Sequence, residues 1–168
     1  PPIKIELSQE HLLYLEGRID RVDILKHEGK WFMKIMDFKT GNKELNLSDI
    51  YYGLSLQLIV YMWVCLNYGK KKDMESVAAG MFYFKLDDPL VLSGKVEEEV
   101  IKSEITKHFK LKGLMLKDIE VLKAMDEDVE HSDIVNYKVK KNGDFSATSK
   151  GLIEEKQLDQ LISHVENT

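Results

Sequence analysis

Cysteine is nearly missing from these 168 residues: Cys65 stands alone inside an apolar segment, which excludes a disulfide framework and any zinc-ligand spacing and suits an intracellular, cytoplasmic protein. No apolar run is long enough for a bilayer. The longest, "LSLQLIVYMWVCL" (54 to 66), falls short of the roughly 20 residues a membrane helix requires and reads as a buried helix. A basic excess is also lacking, since 24 Lys+Arg against 29 Asp+Glu give a formal charge of −5, so the net field does not attract a polyanion. Any grip on nucleic acid must be local or lent by a partner. A targeting leader and an initiator methionine are absent from "PPIKIEL", which suggests a piece of a longer protein. There is no internal repeat, low-complexity tract or Gly-rich Lys-Ser/Thr phosphate loop for ATP hydrolysis. The clusters "KKK" (70 to 72) and "EEE" (97 to 99) read as solvated faces.

What is present is enough apolar residue, 43%, to close one core, so residues 1–168 are expected to form a single domain. "IKIEL" (3 to 7) alternates, and "LLYLEGRIDRVDILK" (12 to 26) continues in extended register with a pause at Gly17. "HEGK" (27 to 30) signals a turn, and "WFMKIMDFKT" (31 to 40) the returning strand of a hairpin. A helix is expected from Ser48, a candidate N-cap, to about Asn67, stopping at Gly69. "SVAAGMFYFKL" (76 to 86) is a further strand closed by "DDP", and helices are expected at about 95–110, 117–126 and 150–166. This order predicts an α/β fold, a mixed central sheet flanked by helices.

One strand ends oddly. Along 31–40, Met33, Ile35, Asp37 and Lys39 share a face, while Phe32, Met36 and Phe38 share the other. Two strand rises place the Asp37 and Lys39 alpha carbons about 7 Å apart, near enough to act on one small object. Positions 20 and 37 are nearly symmetric about the 27–30 turn, so a hairpin brings the Asp20 and Asp37 carboxylates together. Two carboxylates with a nearby backbone carbonyl suit Mg²⁺, which keeps waters for a phosphate to replace. Such an ion lowers the pKa of a bound water, and a lysine beside it stabilises charge on a phosphate under attack. That chemistry is phosphodiester hydrolysis. On spacing alone, an Asp-x-Lys triplet is more often a solvated strand end, and "RIDR" reads equally as exposed cross-strand ion pairs. In the helix, Gln57 and Tyr61 lie one turn apart and share a face; taken alone they are a core amide and a packing aromatic.

"GRIDRVD", "MDFKTG" and "YYGLSLQLIVY", in that order, resemble the motifs of the PD-(D/E)XK nucleases of the RecB type. Through "GMFYFKLDDPLV", "FKLKGLMLKD" and "NGDFSATSKGLIEEKQLDQLISHV" the likeness extends to the C-terminal nuclease domains of the AddB family, found in bacterial ATP-dependent helicase/deoxyribonucleases. It covers nearly the whole chain. The resemblance implies a restriction-endonuclease-like core with Asp20, Asp37 and Lys39 catalytic. It makes the two carboxylates and the carbonyl of Phe38 ligands of Mg²⁺, with Mn²⁺ as a substitute. Gln57 and Tyr61 match a Gln-x-x-x-Tyr motif that helps to hold the DNA backbone. Thr40 is a candidate phosphate hydrogen bond, and Gly53 would allow close approach of the helix backbone. Arg18 and Arg21 reach phosphates or form surface pairs. Two family features are missing: a helix before the first strand that often adds a metal ligand, and the cysteines of an iron–sulphur cluster, which Cys65 alone cannot hold.

The implied function is Mg²⁺-dependent exonuclease action on DNA fed by a helicase/nuclease partner subunit of the AddA type, in double-strand-break repair and homologous recombination. No membrane partner is implied. The alternatives are another RecB-type nuclease, or an inactive scaffold of the same fold that binds DNA or a partner subunit.

Overall fold

The computed structural model describes residues 3–6, 12–89, 97–126, 128, 132–140 and 142–166. It opens with an antiparallel pair, β1 (Ile3–Glu6) and β2 (Leu12–Leu15), in which Ile3 faces Leu15. This pair forms its own two-stranded sheet. The extended run at 12–26 is therefore two strands in two sheets, because residues 16 to 20, around Gly17, leave the first ladder before the second begins.

The second ladder is built as the "HEGK" signal predicts. Strands β3 (Arg21–His27) and β4 (Lys30–Lys39) pair antiparallel with His27 opposite Lys30. Glu28 (φ 48°) and Gly29 (φ 80°) both take positive φ, which matches the twist of a two-residue hairpin. Next to β4, and parallel to it, runs β5 (Ser76–Lys85), with a register shift at Met33/Lys34. Two further short strands, β6 (Lys112–Leu116, antiparallel to β5) and β7 (Leu152–Ile153, parallel to β6), complete a five-stranded mixed sheet in the order β3-β4-β5-β6-β7. The sequence reading foresaw neither β6 nor β7. Each is too short to show a period, and each lies in a stretch read as loop or helix.

The link from β4 to β5 departs from the expected single helix. Asn46, not Ser48, is the N-cap; its side chain accepts from the Ser48 N–H, opening α1 (Leu47–Tyr51). The chain then breaks at Gly53 (φ 76°) and Ser55 (φ 55°), and α2 runs from Gln57 to Lys71. Gly53 thus ends a helix instead of lying inside one. Gly69 does not stop α2 either: it is buried where a Cβ would meet the Ser76 side chain at 1.9 and 2.9 Å, so its role is close packing of helix on strand.

The remaining helices are α3 (Glu98–His108), α4 (Ile119–Met125, capped by Asp118) and α5 (Glu155–Glu166). They lie within the expected spans, except that residues 152–153 of the third span belong to β7; the start of the first span, at 95–96, lies outside the described residues. The two sheet faces carry separate cores. Met33, Ile35, Met81, Tyr83 and Leu114 pack under α1, α2 and α5, while Phe32, Met36, Phe82 and Met115 pack with α4 and with Val135 and Tyr137. Among the described residues no helix is long and apolar enough to cross a membrane.

Candidate active site

β3 begins at Arg21, opposite Met36, so β4 outruns its partner by three residues. The Asp20 side chain fills the missing rung: its Oδ2 accepts the Phe38 N–H at 2.9 Å. Backbone N–H and C=O of one strand residue face the same edge, so the Phe38 carbonyl also turns toward Asp20. The next carbonyl confirms the alternation. Lys39 C=O faces the other way and accepts the Leu86 N–H beyond the end of β5 at 2.8 Å.

Asp37 and Lys39 project together toward α2, as their shared parity requires. Lys39 Nζ lies 2.5 Å from Asp37 Oδ2 and donates to Gln57 Oε1 at 2.9 Å. Gln57 Nε2 in turn donates to Asp37 Oδ1 at 3.2 Å and to the Tyr61 hydroxyl at 3.0 Å. The break at Gly53–Ser55 places the first turn of α2, and with it Gln57, over this strand end. The Asp37 side chain is 3% exposed. Its Oδ2 meets the Lys39 ammonium, and among the described residues no other donor reaches it. A carboxylate buried this deeply is costly unless cations balance its charge.

The donors here suit a hard divalent ion: the buried Asp37 carboxylate, the Asp20 carboxylate on the edge of β4, and the Phe38 carbonyl turned to that edge. Among the described residues no group of three His, Cys, Asp or Glu side chains gathers to cage a metal. Two carboxylates and a carbonyl would leave waters on Mg²⁺, in keeping with its reluctance to dehydrate.

Other expected residues are placed as follows. Thr40 is exposed just past β4, and Arg18 is exposed before β3. Arg21 pairs with Asp23 at 2.8 Å on the surface. Cys65 is a half-buried free thiol on α2, its pKa pushed up by burial. Gly17 passes over Tyr61, its Cβ direction 3.6 Å from the ring. The residue that the sequence reading missed is Tyr83. It faces Asp37 across the parallel ladder, its ring lies 5.9 Å from Lys39 Nζ, and its buried hydroxyl has no hydrogen-bond partner among the described residues. Burial first, then the Asp37 carboxylate and Tyr61, raise its pKa, so the phenol keeps its proton. Its alternation with Met81 was a signal, but a parallel register cannot be read from sequence.

A family profile described as the PD-(D/E)XK nuclease superfamily matches residues 2–167. The chain belongs to that superfamily. Among curated proteins it is similar to the AddB-type subunit of the ATP-dependent helicase/deoxyribonuclease of Alkaliphilus oremlandii (strain OhILAs), 45% identical over 98% of this chain and 14% of that protein. The protein of the same name in Thermoanaerobacter sp. (strain X514) is 41% identical over 99% of this chain and 15% of its own length. That of Clostridium kluyveri (strain NBRC 12016) is 39% identical over 100% and 15%. The chain thus spans about one seventh of the relatives it matches.

Proposed function

We propose that these residues form one metal-dependent nuclease domain that hydrolyses DNA phosphodiesters as an exonuclease, within a cytoplasmic helicase–nuclease complex serving double-strand-break repair and recombination. The observation that carries this reading is the interlocked set Asp37, Lys39 and Gln57, with Asp20 joined to it through the Phe38 N–H. Asp20, Asp37 and the Phe38 carbonyl would hold Mg²⁺ or Mn²⁺. When bound, the ion supplies Lewis acidity toward the phosphate and a water made acidic enough to attack. Lys39 is steadied from two sides, by Asp37 Oδ2 and Gln57 Oε1, so its ammonium orients the attacking water and offsets charge building on the phosphate oxygens. Water oxygen bonds to phosphorus, one ester P–O bond breaks, and the alcohol leaves with a proton. Tyr61 fixes Gln57, and Thr40, exposed at the strand exit, is free to meet a neighbouring phosphate.

The names of the similar proteins support a helicase partner and a DNA substrate. The net charge of −5 agrees, because a strand delivered by a motor subunit need not be captured by the field of this domain. A scaffold of the same fold has no use for a lysine pressed against a buried carboxylate. Calorimetric titration of Mn²⁺ into the chain and into its Asp20→Ala and Asp37→Ala variants tests the reading. Binding lost in both variants is expected; binding equal in all three would remove the shared metal site.

A further inference from the structure

The ladder registers align more than Asp37 and Lys39 at this end of the sheet. Lys85 is the cross-strand partner of Lys39, and Tyr83 that of Asp37; on the other side of β5, Lys112 is the partner of Tyr83. Paired residues point to the same face, so Lys39, Lys85 and Lys112 all emerge on the face covered by α2. Neighbouring strands are about 4.8 Å apart, so the three lysines step away from the scissile site over roughly 10 Å. In a chain with five more acids than bases, three ammonium groups gather at this end of the sheet, each beside one carboxylate.

Each outer lysine is held by one carboxylate near solvent. Lys85 Nζ lies 2.6 Å from Asp87 Oδ2, and the other oxygen of Asp87 lies 2.5 Å from His108 Nε2. Lys112 Nζ lies 3.1 Å from Glu44, whose side chain is 74% exposed. An ammonium has three donors, so each lysine retains protons to offer a phosphate. An ion pair as open as Glu44–Lys112 is also weak. Beyond Lys112 the surface opens into a cleft of about 460 Å³, lined in part by Glu44, Lys112, Asn136 and Lys150.

Resting on the active-site reading above, we propose that Lys85 and Lys112 extend the site into a phosphate track for one nucleic-acid strand, with Asp87 and Glu44 as the carboxylates that the phosphates compete against. The track runs across β5 and β6, away from Asp20.

Fluorescence anisotropy of a labelled short oligothymidylate, with EDTA present and salt varied, tests this on the full chain. Lys85→Gln and Lys112→Gln are each expected to flatten the plot of log binding constant against log salt by ~0.7, the value for one lost single-strand phosphate contact. Lys85→Arg keeps the slope, which controls for the seat of Lys85 beside Asp87. Glu44→Gln binds more tightly than wild type, a gain that a purely structural lysine does not give. Unchanged slopes in both glutamine variants, or no binding by wild type at low salt, would overturn the track. If the slopes hold while Lys39→Ala abolishes cleavage, the track fails and the active site stands. If the slopes fall while Lys39→Ala still cleaves, the track remains as a binding surface and the active-site reading is lost.

Discussion

Two adjacent strands each carry an acid and a base two residues apart, and they have opposite fates. On β3, Arg21 and Asp23 meet at 2.8 Å with side chains 57% and 31% exposed. On β4, Lys39 and Asp37 meet at 2.5 Å with side chains 31% and 3% exposed. The pairs differ in cover. Asp23 also meets Lys34 at 2.8 Å, so both its oxygens are satisfied in contact with water. Asp37 lies under α2, nearly closed off from water, and its charge is balanced by Lys39 alone among the described residues. A surface pair of the first kind contributes little to stability, whereas a buried carboxylate is costly unless cations balance it. The triplet alone therefore does not set the two pairs apart; the helix laid over one of them does.

The sharpest way to break this contrast is to remove the buried charge. Asp37→Asn is expected to lower DNA cleavage by about 10³-fold or more, judged by the worth of a single preorganised electrostatic contact. Its melting temperature should not fall, because the desolvation cost of a buried carboxylate is removed while Lys39, 31% exposed, can turn to solvent. A clear drop in melting temperature with cleavage retained would mean that the Asp37–Lys39 pair is structural, like the one on β3. Lys39→Ala should lose cleavage by about 10²- to 10³-fold with the fold intact. Circular dichroism alongside a nuclease assay separates the two effects.

Moving the cover comes next. Gly69→Ala forces a Cβ against Ser76 and is expected to cost about 1–3 kcal/mol in denaturant unfolding, as overpacking does. Ser76→Gly in the same chain should recover most of that loss. Gln57→Ala leaves α2 in place but frees both Asp37 and Lys39; a loss of about 10- to 100-fold in cleavage, typical of groups that orient a metal site, is expected. Cleavage unchanged would mean that Gln57 only packs.

The smallest effects belong to β3. Burial pushes the Asp23 carboxyl up, but hydrogen bonds from Arg21 and Lys34 outweigh it and hold its pKa below the usual value. A depressed folded pKa contributes stability above the ordinary carboxylate value, and that contribution is lost as pH falls through the lower folded value. Arg21→Ala should change unfolding free energy at neutral pH by about 0.5 kcal/mol or less, and by nothing once Asp23 is protonated. A larger change would show the surface pair to be more than solvated charge.

The sequence by itself determined the hairpin and the faces of its strands. "HEGK" closes with positive φ at Glu28 and Gly29, the count from 20 to 37 is carried through in the Asp20–Phe38 bond, and the parity of Asp37 and Lys39 puts both on one side. Gln57 and Tyr61 share a face, as their one-turn spacing predicts, and the structure adds a hydrogen bond between them. These are local facts, set by the period of a strand or a helix and the geometry of a short turn. Where α1 stops and α2 starts was less legible, because apolar spacing continues through Gly53 and Ser55 while the backbone turns left-handed. Only the tertiary structure decided that β6 and β7 join the sheet, that Tyr83 faces Asp37, and that Lys85 pairs with Lys39 and Lys112 with Tyr83. Parallel pairing and crossover connections join residues far apart in the chain, and no local pattern fixes a register between strands that a whole helix separates.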